Sequence, residues 1–162
     1  MNQEAKKGLF QYVEAHESMI DEVKGNNYSG KPIAFGLYDS DIKETIRPYI
    51  MGRIVDVEQF LTQYQFQPDA DPVKITFHVR DPFLKWNDRS VTVCVQEGRV
   101  RFEQEKAMHE VTLSIGTLTT LLMGYADAAE LAELEQLQAN ERTISLLDQL
   151  IIREKPYISD YI

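Results

Sequence analysis

The sequence predicts an α+β fold: an antiparallel sheet packed on one face by helices, preceded by a separate helix–strand piece. Three observations predict it. Between residues 73 and 115 apolar residues recur at every second position, the period of a strand with one buried face. From residue 116 onward they recur at steps of three and four, the period of a helix. Residues 1–48 hold one helical and one extended pattern, too little to enclose a core. That piece reads as part of something larger, and Pro48 marks a boundary after it.

In order, residues 4–24 read as an amphipathic helix with Leu9, Tyr12, Val13, His16, Ile20 and Val23 on one stripe, stopped by Gly25. Residues 32–38 read as a short strand. With no partner sheet in residues 1–48, the helix stripe or strand edge is expected to be exposed or covered by a second copy in a homo-oligomer. Asp56 suits a helix N-cap with Gln59 three residues on, and Phe60 and Leu61 on the buried side.

Four alternating segments follow, at about 73–80, 90–96, 99–105 and 110–115. Glu97-Gly98 is a tight-turn signal between the second and third, and the four are expected to form an antiparallel meander. Val91, Val93 and Val95 should lie under the C-terminal helices and Thr92 and Gln96 should face away. Phe77 and Phe102 are expected in the core. Helices are expected from Gly116 to Gly124, from Asp127 through Leu131, Leu134 and Leu137, and after Asn140 with Ile144, Leu147 and Ile151 on one face. Pro156 prevents simple continuation, and the apolar tail 157–162 should dock against protein.

Composition narrows function by exclusion. The 162 residues, 43% hydrophobic and 27% charged, are ordinary for one globular domain or one domain plus a fragment. The net charge of −9 argues against nucleic acid or an anionic membrane as the main partner and favours a cationic one. Residues 125–162 hold eight acids and three bases, so most of that charge sits at the C-terminal end. No apolar run is long enough to span a membrane, and the N-terminus lacks a secretory pattern. The single cysteine, Cys94, fits a reducing, cytoplasmic setting.

Candidate chemistry is sparse. His16, His78 and His109 are far apart and lack metal-ligand spacing. His16 lies on an apolar stripe and reads as a core histidine; His78 reads as a surface residue. Cys94 has no activating neighbour in sequence. No glycine-rich loop is present to cradle a phosphate, and nothing local resembles a nucleophile–base pair. Glu130, Glu133, Glu135 and Glu141 read as a solvated face that raises the local concentration of a polycation. Trp86, after Asp81-Pro82-Phe83, reads as a core plug at a corner shaped by Pro82.

Four segments carry a resemblance. Arg47-Pro48-Tyr49-Ile50-Met51-Gly52-Arg53-Ile54-Val55-Asp56-Val57 resembles a junction of the enhanced-intracellular-survival (Eis) family of acetyltransferases. Asp81-Pro82-Phe83-Leu84-Lys85-Trp86-Asn87 resembles its corner, Leu118 to Tyr125 its helix end, and Lys155 to Ile162 its closing segment. His16-Glu17-Ser18-Met19-Ile20-Asp21 also resembles the end of its central domain.

Members of that family are similar to two acetyltransferase-like (GNAT) domains followed by a sterol-carrier-like domain. The resemblance implies that residues 1–48 are the last piece of a GNAT-like domain and 49–162 a whole sterol-carrier-like domain. The chain is then a piece of a longer N-acetyltransferase, whose acetyl-CoA site and catalytic tyrosine lie in a first domain that this chain lacks. The acceptor is implied to be an amine, such as an aminoglycoside or polyamine. The one catalytic group carried over is the terminal carboxylate of Ile162, which in this family is thought to assist proton transfer; the family often ends in phenylalanine, and Ile162 departs from that. The alternative is a sterol-carrier-like module that binds an apolar ligand or mediates assembly of the parent protein. No cofactor or metal is assigned to this chain.

Overall fold

The structure, a computed structural model, describes residues 3–27, 42–46, 51–154 and 156. The expected strand at 32–38, residues 47–50 of the junction and the tail 157–162 lie outside them. The chain divides into two compact units, Met1–Glu44 and Thr45–Ile162.

In the first unit, helix α1 spans Gln3–Glu14 and is followed by a 3₁₀ turn at Glu17–Met19. The helix expected over 4–24 thus ends ten residues early. On its apolar stripe Leu9 is 57% and Tyr12 67% exposed. No base stands in its last turn to answer the dipole. His16, expected in a core, instead hydrogen-bonds through Nδ1 to the Tyr12 carbonyl at 2.7 Å and tilts against the Tyr12 ring.

In the second unit, helix α2 (Val57–Gln63) starts at Asp56, whose side chain accepts from the Gln59 N–H, and it buries Leu61. Strands β1 (Val73–Arg80), β2 (Ser90–Gln96), β3 (Arg99–Glu103), β4 (His109–Ser114) and β5 (Leu137–Gln138) form one sheet in the order β3-β2-β1-β4-β5. Helices α3 (Ile115–Leu122), α4 (Ala128–Glu133) and α5 (Glu141–Leu150) complete the unit. No helix among the described residues is long and apolar enough to cross a membrane.

The α+β architecture is as expected, with one correction: the sheet is mixed rather than an antiparallel meander. β1–β2, β2–β3 and β4–β5 are antiparallel, but β4 runs parallel to β1, with Phe77 opposite Val111 and Val79 opposite Leu113. Period-two alternation fixes which face a residue takes, not which neighbour its strand chooses. The chain leaves the β3 edge and crosses to the far side of β1, and this crossover accounts for a second difference. Thr76 and Thr92, which face away from the helices, are also buried, at 0% and 8% exposure. Their hydroxyls meet at 2.9 Å, and Thr76 Oγ1 accepts the N–H of Ala107 on the crossing segment.

The helix-side face is the core. Ile75, Phe77, Val91, Val93, Val95, Val111 and Leu113 pack with Leu61, Leu118, Leu121, Leu147 and Leu150. Phe102 shares that face but lies on edge strand β3 and is 40% exposed, so it is not a core residue. Glu97 and Gly98 both take positive φ (52° and 74°), as a two-residue hairpin turn matched to strand twist requires. A Cβ at Gly98 would also lie 2.8 Å from the Phe66 carbonyl oxygen. Gly124 ends α3 with φ 66°. Asp127 and Glu130 form a reciprocal capping box on α4, and Asn140 caps α5 through the Thr143 N–H. Leu137, expected on a helix, lies in β5, and Leu134 is 66% exposed after α4 stops.

Candidate functional site

Two places in the second unit bring polar groups together. The first is the β1–β2 connection, built on Asp81 at the end of β1. Its side chain is buried, and Oδ1 accepts from the backbone N–H groups of Phe83 and Leu84 at 3.0 and 3.1 Å. Pro82, which follows Asp81, has no N–H to satisfy, so an Asp-Pro start suits this closed turn. Arg53 Nη2 donates to the same oxygen at 2.6 Å, and Asn87 Nδ2 donates to Oδ2 at 3.0 Å. Burial alone would raise the Asp81 carboxyl; the bonds from Asn87, Leu84, Phe83 and Arg53 more than offset this and hold it well below the usual carboxylate range.

Asn87 also ties the corner to the segment entering α2. It donates to the Val55 carbonyl at 2.9 Å and accepts from the Val57 N–H at 3.1 Å. The Ile54 N–H donates to Thr119 Oγ1 on α3 at 3.2 Å. The junction and corner motifs, some thirty residues apart, thus form one hydrogen-bonded base. On it stand apolar side chains in water: Phe83 is 78% exposed, Trp86 55% and Val55 62%. The Arg53 guanidinium lies over the Phe83 ring at 5.5 Å, and Trp86 Nε1 donates to the Val55 carbonyl at 3.0 Å. Trp86 is therefore not the expected core plug. Asn87 takes the buried place beside it, because its amide finds three partners there.

The second place is a hollow of about 490 Å³ on the sheet face away from the helices. His78 on β1 stands opposite Ser90 on β2 in the ladder. His78 Nδ1 lies 2.7 Å from Ser90 Oγ, and His78 Nε2 lies 2.8 Å from Glu110 Oε2 on β4. The hydrogen bond from His78 is the main cause that holds the Glu110 carboxyl below its usual range; burial opposes it, and Lys106 adds to it. Arg80, Arg89, Lys106 and Thr112 share the walls. Sequence reading missed this group because Ser90 and Glu110 lie 12 and 32 residues from His78. Their alternation placed each on the polar face, but only the strand order makes them neighbours.

The other candidates stay apart. His109 reaches Thr143 Oγ1 at 3.1 Å, and Cys94 is a half-buried free thiol on the face opposite Val93 and Val95. Glu130, Glu133, Glu135 and Glu141 are exposed. Ile162 lies outside the described residues. Among those residues no three His, Cys, Asp or Glu side chains gather as they would for a metal. A smaller hollow of about 200 Å³ lies between α3 and α5, with Asp127, Asp148 and Arg153 in its wall.

Residues 57–159 match the family model described as a sterol carrier protein domain. Nothing among curated proteins matches the chain. A solved structure from Enterococcus faecalis, a conserved protein of unknown function described as a probable N-acyltransferase, is 24% identical with a TM-score of 0.81, over 99% of this chain and 41% of that one. A GCN5-related N-acetyltransferase from Anabaena variabilis is 23% identical with a TM-score of 0.58, over 64% of this chain and 26% of its own. Eis1 from Mycobacterium abscessus is 23% identical with a TM-score of 0.54, over 68% and 27%. At these identities the likeness is one of fold. The chain spans less than half the length of each of these structures.

Proposed function

The chain belongs to the sterol carrier protein domain family, and from that premise we propose that it is the C-terminal segment of an Eis-like N-acetyltransferase, inactive alone. In this reading residues 1–48 are the end of a GNAT-like domain. Residues 49–162 are the third domain, which contributes a wall of the acceptor site and the terminal carboxylate. Acetyl-CoA binds in the parent's first domain, and the acceptor is an amine such as an aminoglycoside or polyamine, drawn by the acidic end of the chain.

The observation that carries the reading is the platform of Phe83, Trp86 and Val55. Large apolar side chains are held in water on a base of buried, fully bonded polar groups. A surface built so rigidly, and so apolar, suits coverage by another protein domain. The competing reading, a carrier of an apolar ligand, needs an apolar chamber. Both hollows described above have charged walls, and Phe77, Leu118 and Leu147 are fully buried in the core between sheet and helices. A role limited to assembly of the parent would leave the chain end without chemistry.

In acetyl transfer the amine attacks the thioester carbonyl and must lose a proton, while the departing thiolate gains one. The Ile162 carboxylate serves as acceptor and then donor. The test is turnover by a three-domain parent in which Ile162 is deleted or the terminus amidated. Deletion leaves a new carboxylate displaced by about 3.3 Å along an extended chain. Turnover is expected to fall about 100-fold or more with folding unchanged. Normal turnover removes the chain end from the mechanism. Binding of a fluorescent fatty acid by the 162-residue chain would favour the carrier reading instead.

A further inference from the structure

Ser90, His78 and Glu110 have an order that polar contacts on a sheet do not require. A carboxylate only accepts, so the proton of a neutral His78 ring sits on Nε2, facing Glu110 at 2.8 Å. Nδ1 is then a lone pair, and the Ser90 hydroxyl at 2.7 Å donates to it. A hydroxyl thus meets a base whose far side is oriented by a carboxylate, the arrangement that activates a nucleophile. The three residues stand on adjacent strands β2, β1 and β4, which hold them more rigidly than loops would. Ser90 is exposed at the hollow. Arg80 and Lys106 share its wall, and neither takes part in an ion pair among the described residues. Although Asp88 shares the wall and Lys106 also acts on Glu110, the two cations beside a polarised hydroxyl form a setting for developing negative charge.

We propose that this hollow is an esterase site for small acyl esters, with Ser90 as nucleophile, His78 as general base and acid, and Glu110 as the residue that positions His78. It is independent of the acetyltransferase reading. Ser90 Oγ bonds to the ester carbonyl carbon while its proton passes to His78 Nδ1. The carbonyl electron pair moves onto oxygen, towards Arg80 and Lys106. Collapse breaks the ester C–O bond, and the alcohol leaves with the proton from His78. Water then attacks acyl-Ser90 and gives its proton to His78. The carboxylic acid departs and Ser90 regains its proton, so ester plus water yields acid plus alcohol. The hollow is open to solvent and its walls are charged, which suits a short acyl chain rather than a fatty one.

The test uses the 162-residue chain, a fluorophosphonate probe with mass spectrometry, and p-nitrophenyl acetate. Stoichiometric labelling at Ser90 is expected, and it disappears in Ser90→Ala, an exposed position whose loss should leave the melting temperature unchanged. His78→Gln is expected to slow labelling at least 100-fold and to abolish its pH dependence. Glu110→Gln slows it by a smaller factor, and Glu110→Asp recovers part of the rate, which a merely structural role would not do. Absence of labelling in the folded wild-type chain, or equal labelling of wild type and Ser90→Ala, overturns the proposal.

Discussion

Asp81 illustrates how one side chain can fix a corner. It accepts four hydrogen bonds while buried, from Arg53, Phe83, Leu84 and Asn87. Its carboxyl is held below the usual range, so the bonded carboxylate stabilises the fold above about pH 4. That contribution is lost as pH falls from there towards the folded value. Asp81→Asn is accordingly expected to be less stable than wild type at neutral pH, and the gap in urea midpoint should narrow as pH drops below about 4. A gap that stays constant to low pH would mean that the carboxylate charge contributes nothing. Phe77 and Phe102 contrast in the same way. Both lie on the apolar face, but Phe77 is 0% exposed and Phe102 40%. Phe77→Ala should cost about 3–5 kcal/mol, a loss typical of a fully buried phenylalanine, and Phe102→Ala distinctly less. Equal losses by chemical denaturation would contradict the edge position of β3.

At the scale of elements, the crossing from β3 to β4 is the feature that organises the polar face. It is anchored where the Ala107 N–H meets Thr76 Oγ1. Thr76→Val is nearly isosteric but leaves that N–H and the Thr92 hydroxyl without this partner in a buried place. The expected cost is about 1–3 kcal/mol, with the amide of Ala107 exchanging faster. An unchanged stability would show that the crossing segment is not held there. Helix α1 presents the opposite case. Its length and periodicity are those of an amphipathic helix, but its apolar stripe is exposed. Amide exchange over residues 3–24 should therefore be faster than over 73–152. Equal protection in a demonstrated monomer would count against the need for a partner.

For the whole molecule, the platform at the β1–β2 corner makes a prediction that separates stability from association. Phe83→Ser together with Trp86→Ser should lower the melting temperature of the 162-residue chain only slightly, because both side chains stand more than half in water and the loss is confined to the Trp86–Val55 hydrogen bond and the covered part of each ring. In a three-domain parent the same pair should lower it clearly, since apolar burial is then lost at roughly 25 cal/mol per Å². The same small drop in both proteins would mean that nothing covers the platform. Much of this was legible in the sequence. The strand segments, the Asp56, Asp127 and Asn140 caps and the Glu97-Gly98 turn are local signals, and each is found where its chemistry requires. The His78 hollow was not legible, because its members come from three strands. The role of Trp86 was misread, because a neighbour with a better polar fit took the buried place.

By itself the sequence determined strands β1 to β4, the helix caps and the faces of those strands, but not β5, because alternation, caps and turns act over a few residues. It also pointed, through four spaced motifs, to a sterol-carrier-like domain, and the family match over residues 57–159 agrees. Only the tertiary structure decided that β4 joins β1 in parallel, that a segment crosses the polar face, and that Ser90, His78 and Glu110 meet. Period two assigns a residue to a face of a sheet but says nothing about which strand lies beside it. That choice is made by the packing of helices and crossover together, through contacts between residues far apart in the chain.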